Sequence, residues 1–339
     1  MPKKAAAKTS GKGGKGKGKD GDVQDVSFQM RKVRVEVAKF CSELRIPPEL
    51  DIEKLFNTKI YDALVENSGK MIFQGDRPGR AGVQALSCIL RETCPVYISI
   101  RSLFFWRTEV GDEGVASICE NCLDKGKNES HNWPGFVHLE LFDVKMSALG
   151  CQSLSRSLRE NIPLRNLVID HNAIGDEGAT HLAEGLRGNS ELSFLSMAYC
   201  HIGPAGGVVV GEEIVRCTKI KQLKLRGNRI MARGLTAISL NLGKSESLVQ
   251  LDLSDNSILS DIHAVNAFCE ALRTNVSLET VDFEHNVVGA EATALIAETL
   301  QMCPNIKSFK ACGQGVMNEL FKTTLKDSKG GKKGKKKKK

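Results

Sequence analysis

A repeat of about 28 residues runs through most of this sequence. Seven segments share one template: an apolar residue, two free positions, an apolar-x-apolar triplet, two free positions, a usually small polar residue, then x-apolar and a Gly-rich turn. Their first apolar residues are Ile100, Phe136, Leu164, Leu192, Ile220, Leu248 and Leu278, and an eighth half-copy begins at Ile306. The successive spacings are 36, 28, 28, 28, 28, 30 and 28 residues. Such regularity predicts a stacked solenoid, and solenoids serve surface recognition far more often than chemistry.

The copy that begins at Leu164 shows what one repeat contains. Alternating apolar residues from Leu164 to Ile169 predict a short strand, whereas Leu182 and Leu186 mark one face of a helix. Asp176 lies where an N-cap or first-turn carboxylate would accept the unpaired N–H groups of that helix. Each repeat is therefore expected to supply one strand and one helix.

A polar position follows each predicted strand. It is occupied in turn by Thr108, Val144, Asn172, Cys200, Asn228, Asn256 and Asn286. The short Asn amide can satisfy backbone groups where the strand leaves the sheet, and stacked copies can form a ladder. Val144 cannot do this, so a looser turn is expected there.

The pattern resembles the leucine-rich repeat family, specifically its ribonuclease-inhibitor-like subfamily. The resemblance covers residues 97–312 and implies an α/β solenoid shaped as a horseshoe, with parallel strands on the concave face and helices on the convex face. A degenerate repeat is expected at 70–96. Helical patterns at 23–69 and 313–325 are expected to cap the two ends of the solenoid.

Both ends of the chain are rich in lysine. Residues 1–20 carry a net charge of +6 and residues 326–339 a net charge of +8, which leaves about −6 on the rest of a chain whose total is +8. With almost no apolar residues, the segments 1–22 and 326–339 are expected to be disordered.

Three interpretations of the lysine tails remain open. They can solubilise the chain, tether it to a polyanion such as the acidic tails of tubulin, or direct nuclear import. Nucleic acid is a possible partner, but without arginine or aromatic residues the tails would bind it non-specifically. The residues assigned to tethering are Lys332, Lys333, Lys335, Lys336, Lys337, Lys338 and Lys339.

No cofactor or metal is expected. Cys119 and Cys122, with His131 nearby, lack the second cysteine pair of a structural zinc site, and helical spacing explains Cys122 as a core residue. The sequence contains no apolar run of membrane-spanning length and begins with a lysine tail instead of a hydrophobic signal, so a reducing compartment, the cytoplasm or the nucleus, and free thiols are expected.

Residues between the buried strand positions are predicted to point into the concavity. Aromatic residues crowd the first repeats and carboxylates the last two, as on a protein-binding face with anchors and a charged flank. The alternative is that the aromatic side chains merely cover one another across adjacent strands. The predicted partner-binding residues are Phe104, Trp106, Arg107, Glu140, Phe142, Asp170, His171, Phe194, Tyr199, Lys224, Arg226, Asp252, Asp255, Asp282 and Glu284, with Trp133 in the insertion that lengthens the first spacing.

These patterns favour a non-catalytic scaffold or adaptor, which would bind a protein partner on the concave face and an acidic polymer through its tails. The family resemblance extends this to cytoskeletal assemblies, including the axonemes of cilia and flagella. Two other classes stay open. One is nucleic-acid or ribosome-associated binding through the tails, and the other is regulation of a soluble enzyme, as an inhibitor or a GTPase-activating protein.

Overall fold

A computed structural model describes residues 19–311, except 44, 67, 98–99, 124–134, 161, 217 and 260. Most of the N-terminal tail, Trp133, the cap assigned to 313–325 and the C-terminal lysines therefore lie outside the described residues.

One parallel sheet holds all nine strands of the described chain. The strands lie side by side in sequence order, so each strand pairs with the strand of the next repeat. They are β1 (Lys70–Gln74), β2 (Ser102–Trp106), β3 (His138–Phe142), β4 (Asn166–Val168), β5 (Phe194–Ser196), β6 (Gln222–Lys224), β7 (Gln250–Asp252), β8 (Thr280–Asp282) and β9 (Ser308–Lys310). The expected α/β solenoid of strand-and-helix repeats is confirmed.

A helix follows each of the first eight strands. The helices of the described chain are α1 (Lys19–Glu43), α2 (Ile52–Glu66), α3 (Gly79–Tyr97), α4 (Gly111–Ile118), α5 (Ala148–Arg159), α6 (Gly175–Leu186), α7 (Pro204–Val209), α8 (Met231–Leu242), α9 (Ile262–Thr274) and α10 (Ala290–Gln301). A π-helical turn extends α4 over Cys119–Leu123 and α7 over Val210–Val215.

The core lies between the sheet and the helices. In β3, Leu139 and Leu141 are fully buried while their neighbours are partly exposed, which is the period-two pattern expected of a half-buried strand. Leu182 and Leu186 of α6 are buried against this layer. Stacking the repeats therefore makes one continuous apolar core.

Buried asparagine amides join successive repeats at the turn after each strand. Asn172 accepts hydrogen bonds from the N–H groups of Val144 and Met146 and donates to the carbonyl oxygens of Leu141 and Ile169. Val144 has no side-chain amide, but its backbone N–H is bonded by Asn172 of the next repeat.

The same arrangement recurs further along the chain. Asn228 accepts from Cys200 and Ile202, and Asn286 accepts from Asn256 and Ile258. Asn256 donates to Leu225 and Ser254, yet its own Oδ1 is buried without a hydrogen-bond partner. The predicted ladder thus exists, with one weaker rung.

A second set of asparagines lies where the chain returns from helix to strand. Asn275 donates to the carbonyl oxygens of Leu242 and Ser245 and accepts from the N–H groups of Ser277 and Leu278. Asn189 makes an equivalent set of bonds. Both ends of the helices are therefore fixed by side-chain amides.

The first-turn aspartates act between repeats. The carboxylate of Asp176 accepts from the N–H of Gly203, in the next repeat, at 2.6 Å. Asp112 likewise accepts from Ser147 and Gly150 of the following repeat. The expectation that Asp176 caps its own helix is thus replaced by a cross-repeat contact, because the stacked turns bring the next helix start within reach.

The segment before β2 covers the first layer of the core. Met71 and Phe73 of β1 are fully buried, and the Phe73 ring stacks on Phe105 of β2 with centroids 4.8 Å apart. Ile52, Phe56 and Ile60 of α2 and Val33 and Val37 of α1 are buried in the same cluster. The region assigned to a cap and a degenerate repeat thus supplies α1–α3 and β1, and α1 begins at Lys19, within the assigned tail.

The described cysteines are free thiols. Cys119, Cys151, Cys200, Cys269 and Cys303 are all buried. Burial raises the pKa of Cys119 to about 12 and also raises the pKa of Cys269, so both are held as unreactive thiols. No helix of the described chain is both long and apolar enough to cross a membrane.

The asparagine ladder gives a graded stability prediction. Asn228→Ala removes the acceptor of two buried N–H groups and the donor to the Met197 carbonyl oxygen, whereas the Leu225 carbonyl oxygen keeps Asn256 as a donor. The free energy of unfolding should therefore fall by about 2–4 kcal/mol. Asn256→Ala should lower it less, because its Oδ1 makes no bond to lose. Urea unfolding measures both, with the exposed Asn266→Ala as control. Equal losses at Asn228 and Asn256 would contradict the ladder.

Candidate protein-binding face

The strand register places one residue of every repeat in a row across the sheet. One such row runs from the middle residues of β2 and β3 to the last residues of β4–β9. It consists of Phe104, Glu140, Val168, Ser196, Lys224, Asp252, Asp282 and Lys310, each paired with the next. Trp106 pairs with Phe142 at the ends of β2 and β3. We call the sheet surface opposite the helices the concave face.

A left-handed residue follows each of four strands at the edge of the concave face. The φ angle is +52° at Arg107, +49° at Asp143, +59° at His171 and +54° at Tyr199. This backbone region is uncommon outside glycine and asparagine-like residues, and it is least expected for Arg and Tyr.

Inter-repeat hydrogen bonds hold this conformation. The N–H of Arg107 donates to Phe142 at 2.9 Å, and the N–H of Tyr199 donates to Arg226 at 2.7 Å. Because the stacked backbone fixes these residues in the left-handed conformation, their side chains are free to vary along the edge. The positions therefore carry Arg, Asp, His and Tyr without loss of the fold.

A small cavity opens at the N-terminal end of the concave face. Gln74, Trp106, Arg107, Glu140 and Phe142 line about 280 Å³ of space. Beneath it, Phe104 packs edge-on against Trp106 and lies 4.8 Å from the His138 ring, measured between centroids. Phe104 was expected to contact a partner, but only 8% of its surface is exposed. Its ring packs against Trp106 instead.

Four further side chains form a stack across the concave face. The His171 ring lies 4.8 Å from Phe142 and 4.6 Å from Tyr199, nearly parallel to the latter. The Tyr199 hydroxyl accepts a hydrogen bond from Nε of Arg226 at 3.1 Å. The rings do cover one another, as the alternative interpretation held, but His171 is still exposed.

Glycine at position 227 allows this stack to form. Gly227 has a φ of +70°, and a Cβ there would lie 2.2 Å from two Tyr199 ring atoms. The tyrosine ring therefore lies directly on the backbone of the next repeat. Most repeats have a residue with a side chain at this turn position. Gly227 has none, and this leaves room for the Tyr199 ring.

Asp170 is a structural carboxylate and not a free charge. Its Oδ1 accepts from the Ser196 hydroxyl at 2.7 Å and from the Ala198 N–H at 2.8 Å. Burial raises the pKa of Asp170, and these two hydrogen bonds oppose the rise. Its neighbour His171 is engaged in the ring stack.

The acidic end of the concave face is also largely satisfied internally. Asp252 accepts from Ser254, and Asp282 pairs with Lys310 at 3.1 Å. Asp282 and the lysine lie on the adjacent strands β8 and β9. Fewer free carboxylates remain there than the sequence predicts, and Asp255 and Glu284 are the ones for which the described chain shows no side-chain partner.

The structure brings most of the predicted residues onto one surface. Trp106, Phe142, His171, Tyr199 and Arg226 form a continuous line from β2 to β6. Phe194 lies beside this line, with the Lys224 ammonium 5.3 Å from its ring centroid. The sequence patterns did not indicate Gln74 or Gly227. In the described part of the chain, no group of three or more His, Cys, Asp or Glu side chains is arranged to hold a metal ion.

The repeat geometry agrees with a family model. Residues 160–183 and 216–239 match the model described as Leucine Rich repeat. Each stretch contains a strand, the turn with Asn172 or Asn228, and most of the helix that follows. The chain is a leucine-rich repeat protein. Its strand-and-helix repeats are of the ribonuclease-inhibitor type.

Known leucine-rich repeat proteins are similar over much of its length. The chain is 26% identical to the ribonuclease inhibitor of Sus scrofa over 76% of this chain and 57% of that protein. It is 27% identical to NACHT, LRR and PYD domains-containing protein 5 of Homo sapiens over 63% of this chain and 18% of that one. The leucine-rich repeat chain thus spans little more than half of the inhibitor.

A solved structure also overlaps with the leucine-rich repeat chain. The chain described as "Leiomodin-1 Actin-Binding Site 2 (ABS2)" aligns with 52% of this chain and 87% of its own length, at 15% identity and a TM-score of 0.36. So distant a likeness carries no information about function.

The Tyr199 stack yields a double-mutant prediction. Gly227→Ala should lower the free energy of unfolding by about 1–2 kcal/mol for left-handed strain and by a further ~1–3 kcal/mol for displacing the Tyr199 ring. Gly188→Ala is the control, because Gly188 has a φ of +82° and no atom lies within 4 Å of the place its Cβ would occupy.

The part of this loss that comes from displacing the Tyr199 ring should disappear when the ring is removed. In a Tyr199→Ala background, Gly227→Ala should cost no more than Gly188→Ala in urea unfolding. An unchanged cost in that background would show that the ring does not rest on Gly227.

Proposed function

We propose that the chain is a non-catalytic scaffold that captures a protein partner on its concave face. The observation that carries the proposal is the line from Trp106 through Phe142, His171 and Tyr199 to Arg226. Trp, Tyr and Arg are the residues that dominate binding energy at protein interfaces. This line lies outside the core, and the asparagine ladder holds it on a rigid sheet.

Rigid presentation supports binding over catalysis. The face combines preformed rings with internally satisfied carboxylates, such as Asp170, which accepts two hydrogen bonds. A catalytic acid or base needs access to a substrate, and the Ser196 hydroxyl beside Asp170 is buried. Little conformational entropy is lost when a partner meets such a preorganised surface.

A second candidate is inhibition of a soluble enzyme by the same face. It is favoured by the similarity to a protein named ribonuclease inhibitor, which has repeats of the same type. Both candidates place the contact on the concave face. They differ in the partner, which would be an enzyme in one case and a structural protein in the other.

The lysine-rich ends complete the scaffold proposal. They would tether the captured partner to an acidic polymer, with tubulin in the cytoskeleton or an axoneme as the first candidate. The segments 1–20 and 326–339 hold a net charge of +14 in a chain whose total is +8. Lysine alone binds polyanions without reading their sequence.

The capture proposal is tested by Trp106→Ala combined with Phe142→Ala. Retention of proteins from an extract of the source cells on the immobilised full-length chain should fall by about 100-fold or more, because two interface anchors are lost. The control is Leu149→Ala, which truncates an exposed apolar side chain on helix α5. Urea unfolding shows whether both variants remain folded; a folded double variant that retains the same proteins would refute concave binding.

The tether is tested by changing the seven lysines Lys332, Lys333 and Lys335 to Lys339 to glutamine, which keeps the length of the chain. Co-sedimentation with microtubules at about 50 mM salt should weaken strongly, and the unmodified chain should itself lose binding towards about 300 mM salt. Replacing microtubules by tRNA distinguishes a nucleic-acid role. Unchanged co-sedimentation of the glutamine variant would exclude tethering through these lysines.

A further inference from the structure

Three cations on the concave face lack a carboxylate partner. The structure forms no ion pair at Arg107, Lys224 or Arg226 with any carboxylate of the described chain, whereas Lys145 and Lys310 are paired with Asp143 and Asp282. Arg226 is bonded to the neutral Tyr199 hydroxyl, and Lys224 lies over the Phe194 ring. All three positive charges are therefore left on a surface that also presents aromatic rings.

Three carboxylates of the same region are placed against groups other than these cations. Asp170 is held by Ser196 and Ala198, and Asp143 is paired with Lys145 at 2.8 Å. Glu140 lies 3.5 Å from the buried Nε2 of His138. These carboxylates are committed to other groups, so Arg107, Lys224 and the remaining N–H groups of Arg226 keep donors that no carboxylate of the described chain occupies.

We propose that this part of the concave face binds an extended acidic segment of the partner protein. A large apolar side chain of that segment would enter the cavity lined by Trp106 and Phe142, and its carboxylates would pair with Arg107, Lys224 and Arg226. The inference rests on the proposed function, because it assigns the chemistry of the partner at the same face.

The dimensions of the sheet set the length of the segment. Neighbouring strands lie about 4.8 Å apart, so the four steps from β2 to β6 cover about 19 Å. An extended chain advances about 3.3 Å per residue, so about six residues span the distance. Guanidinium groups at both ends would pair with carboxylates in two-point hydrogen bonds.

The next strands limit the segment at its other end. Asp252, Asp282, Asp255 and Glu284 lie on or just after β7 and β8. The hydrogen bond with Tyr199 is the main cause that raises the pKa of Arg226, and the negative charges of Asp252 and Asp282 add to the rise. A carboxylate placed beyond β6 would be repelled by them. The acidic segment is therefore expected to end at Arg226.

Trp106 provides a local signal for the test. The chain has two tryptophans, so Trp133→Phe leaves Trp106 as the single reporter, and its emission responds to the concave face and not to the lysine tails. The full-length chain is titrated at about 150 mM salt with eight-residue peptides of Glu and Ser that carry one Leu at each position in turn. Matched sets replace Glu by Gln, Glu by Lys, or Leu by Ala.

At least one acidic peptide with Leu should change Trp106 emission and bind about tenfold or more tightly than its Gln and Ala counterparts. Arg107→Gln and Arg226→Gln should each weaken that binding by about tenfold. Arg159→Gln is the control, because it removes the same charge from the last turn of α5 on the helix side, and it should leave the affinity within about twofold.

The inference is overturned if no acidic peptide affects Trp106, if the Gln or Lys peptides bind as well, or if Arg159→Gln weakens binding as much as Arg226→Gln. Partner capture that depends on Trp106 and Phe142 would then still support the scaffold, so the two proposals fail separately. If neither partner capture nor peptide binding depended on the concave face, this face would be excluded as a binding site.

Discussion

Each of the first eight strands in this solenoid leaves the sheet and enters a helix, inside a stack that buries the turn. The backbone groups exposed by that turn would be costly to bury unpaired. Asn172, Asn228 and Asn286 solve the problem with one side chain each, which accepts from two N–H groups of the preceding repeat and donates to carbonyl oxygens on both sides. These contacts join the turn after β4 to that after β3, the turn after β6 to that after β5, and the turn after β8 to that after β7.

A fixed register has a functional consequence. It places side chains of equal repeat position at strand spacing, so isolated residues along the sequence become rows on the concave face. The ring of His171 meets Phe142 and Tyr199 only because β3, β4 and β5 are stacked in this way. The hydrogen bonds that stack the repeats therefore also align the side chains of the proposed binding surface.

Much of this could be predicted from the sequence. Period-two alternation and the 28-residue spacing predicted the strands, the helices and the asparagine ladder, because each depends on a local pattern that recurs. Contacts between repeats were harder. The acceptor role of Asp176, the burial of Phe104 and the place of Tyr199 over Gly227 all depend on a neighbour about 28 residues away, whose distance no single repeat reveals. The contacts of the acidic side chains were missed for the same reason, because Asp170 bonds to Ser196 and Asp282 pairs with Lys310, each in another repeat.

The most direct test of concave binding is site-specific photocrosslinking in the source cells. A benzoylphenylalanine residue would replace His171 on the concave face in one version of the chain and the exposed Leu149 on the helix side in another. The account predicts a discrete covalent adduct from position 171, whose partner can be identified by mass spectrometry, and none from position 149. Adducts from position 149 with none from position 171 would place the partner on the helices and contradict the account.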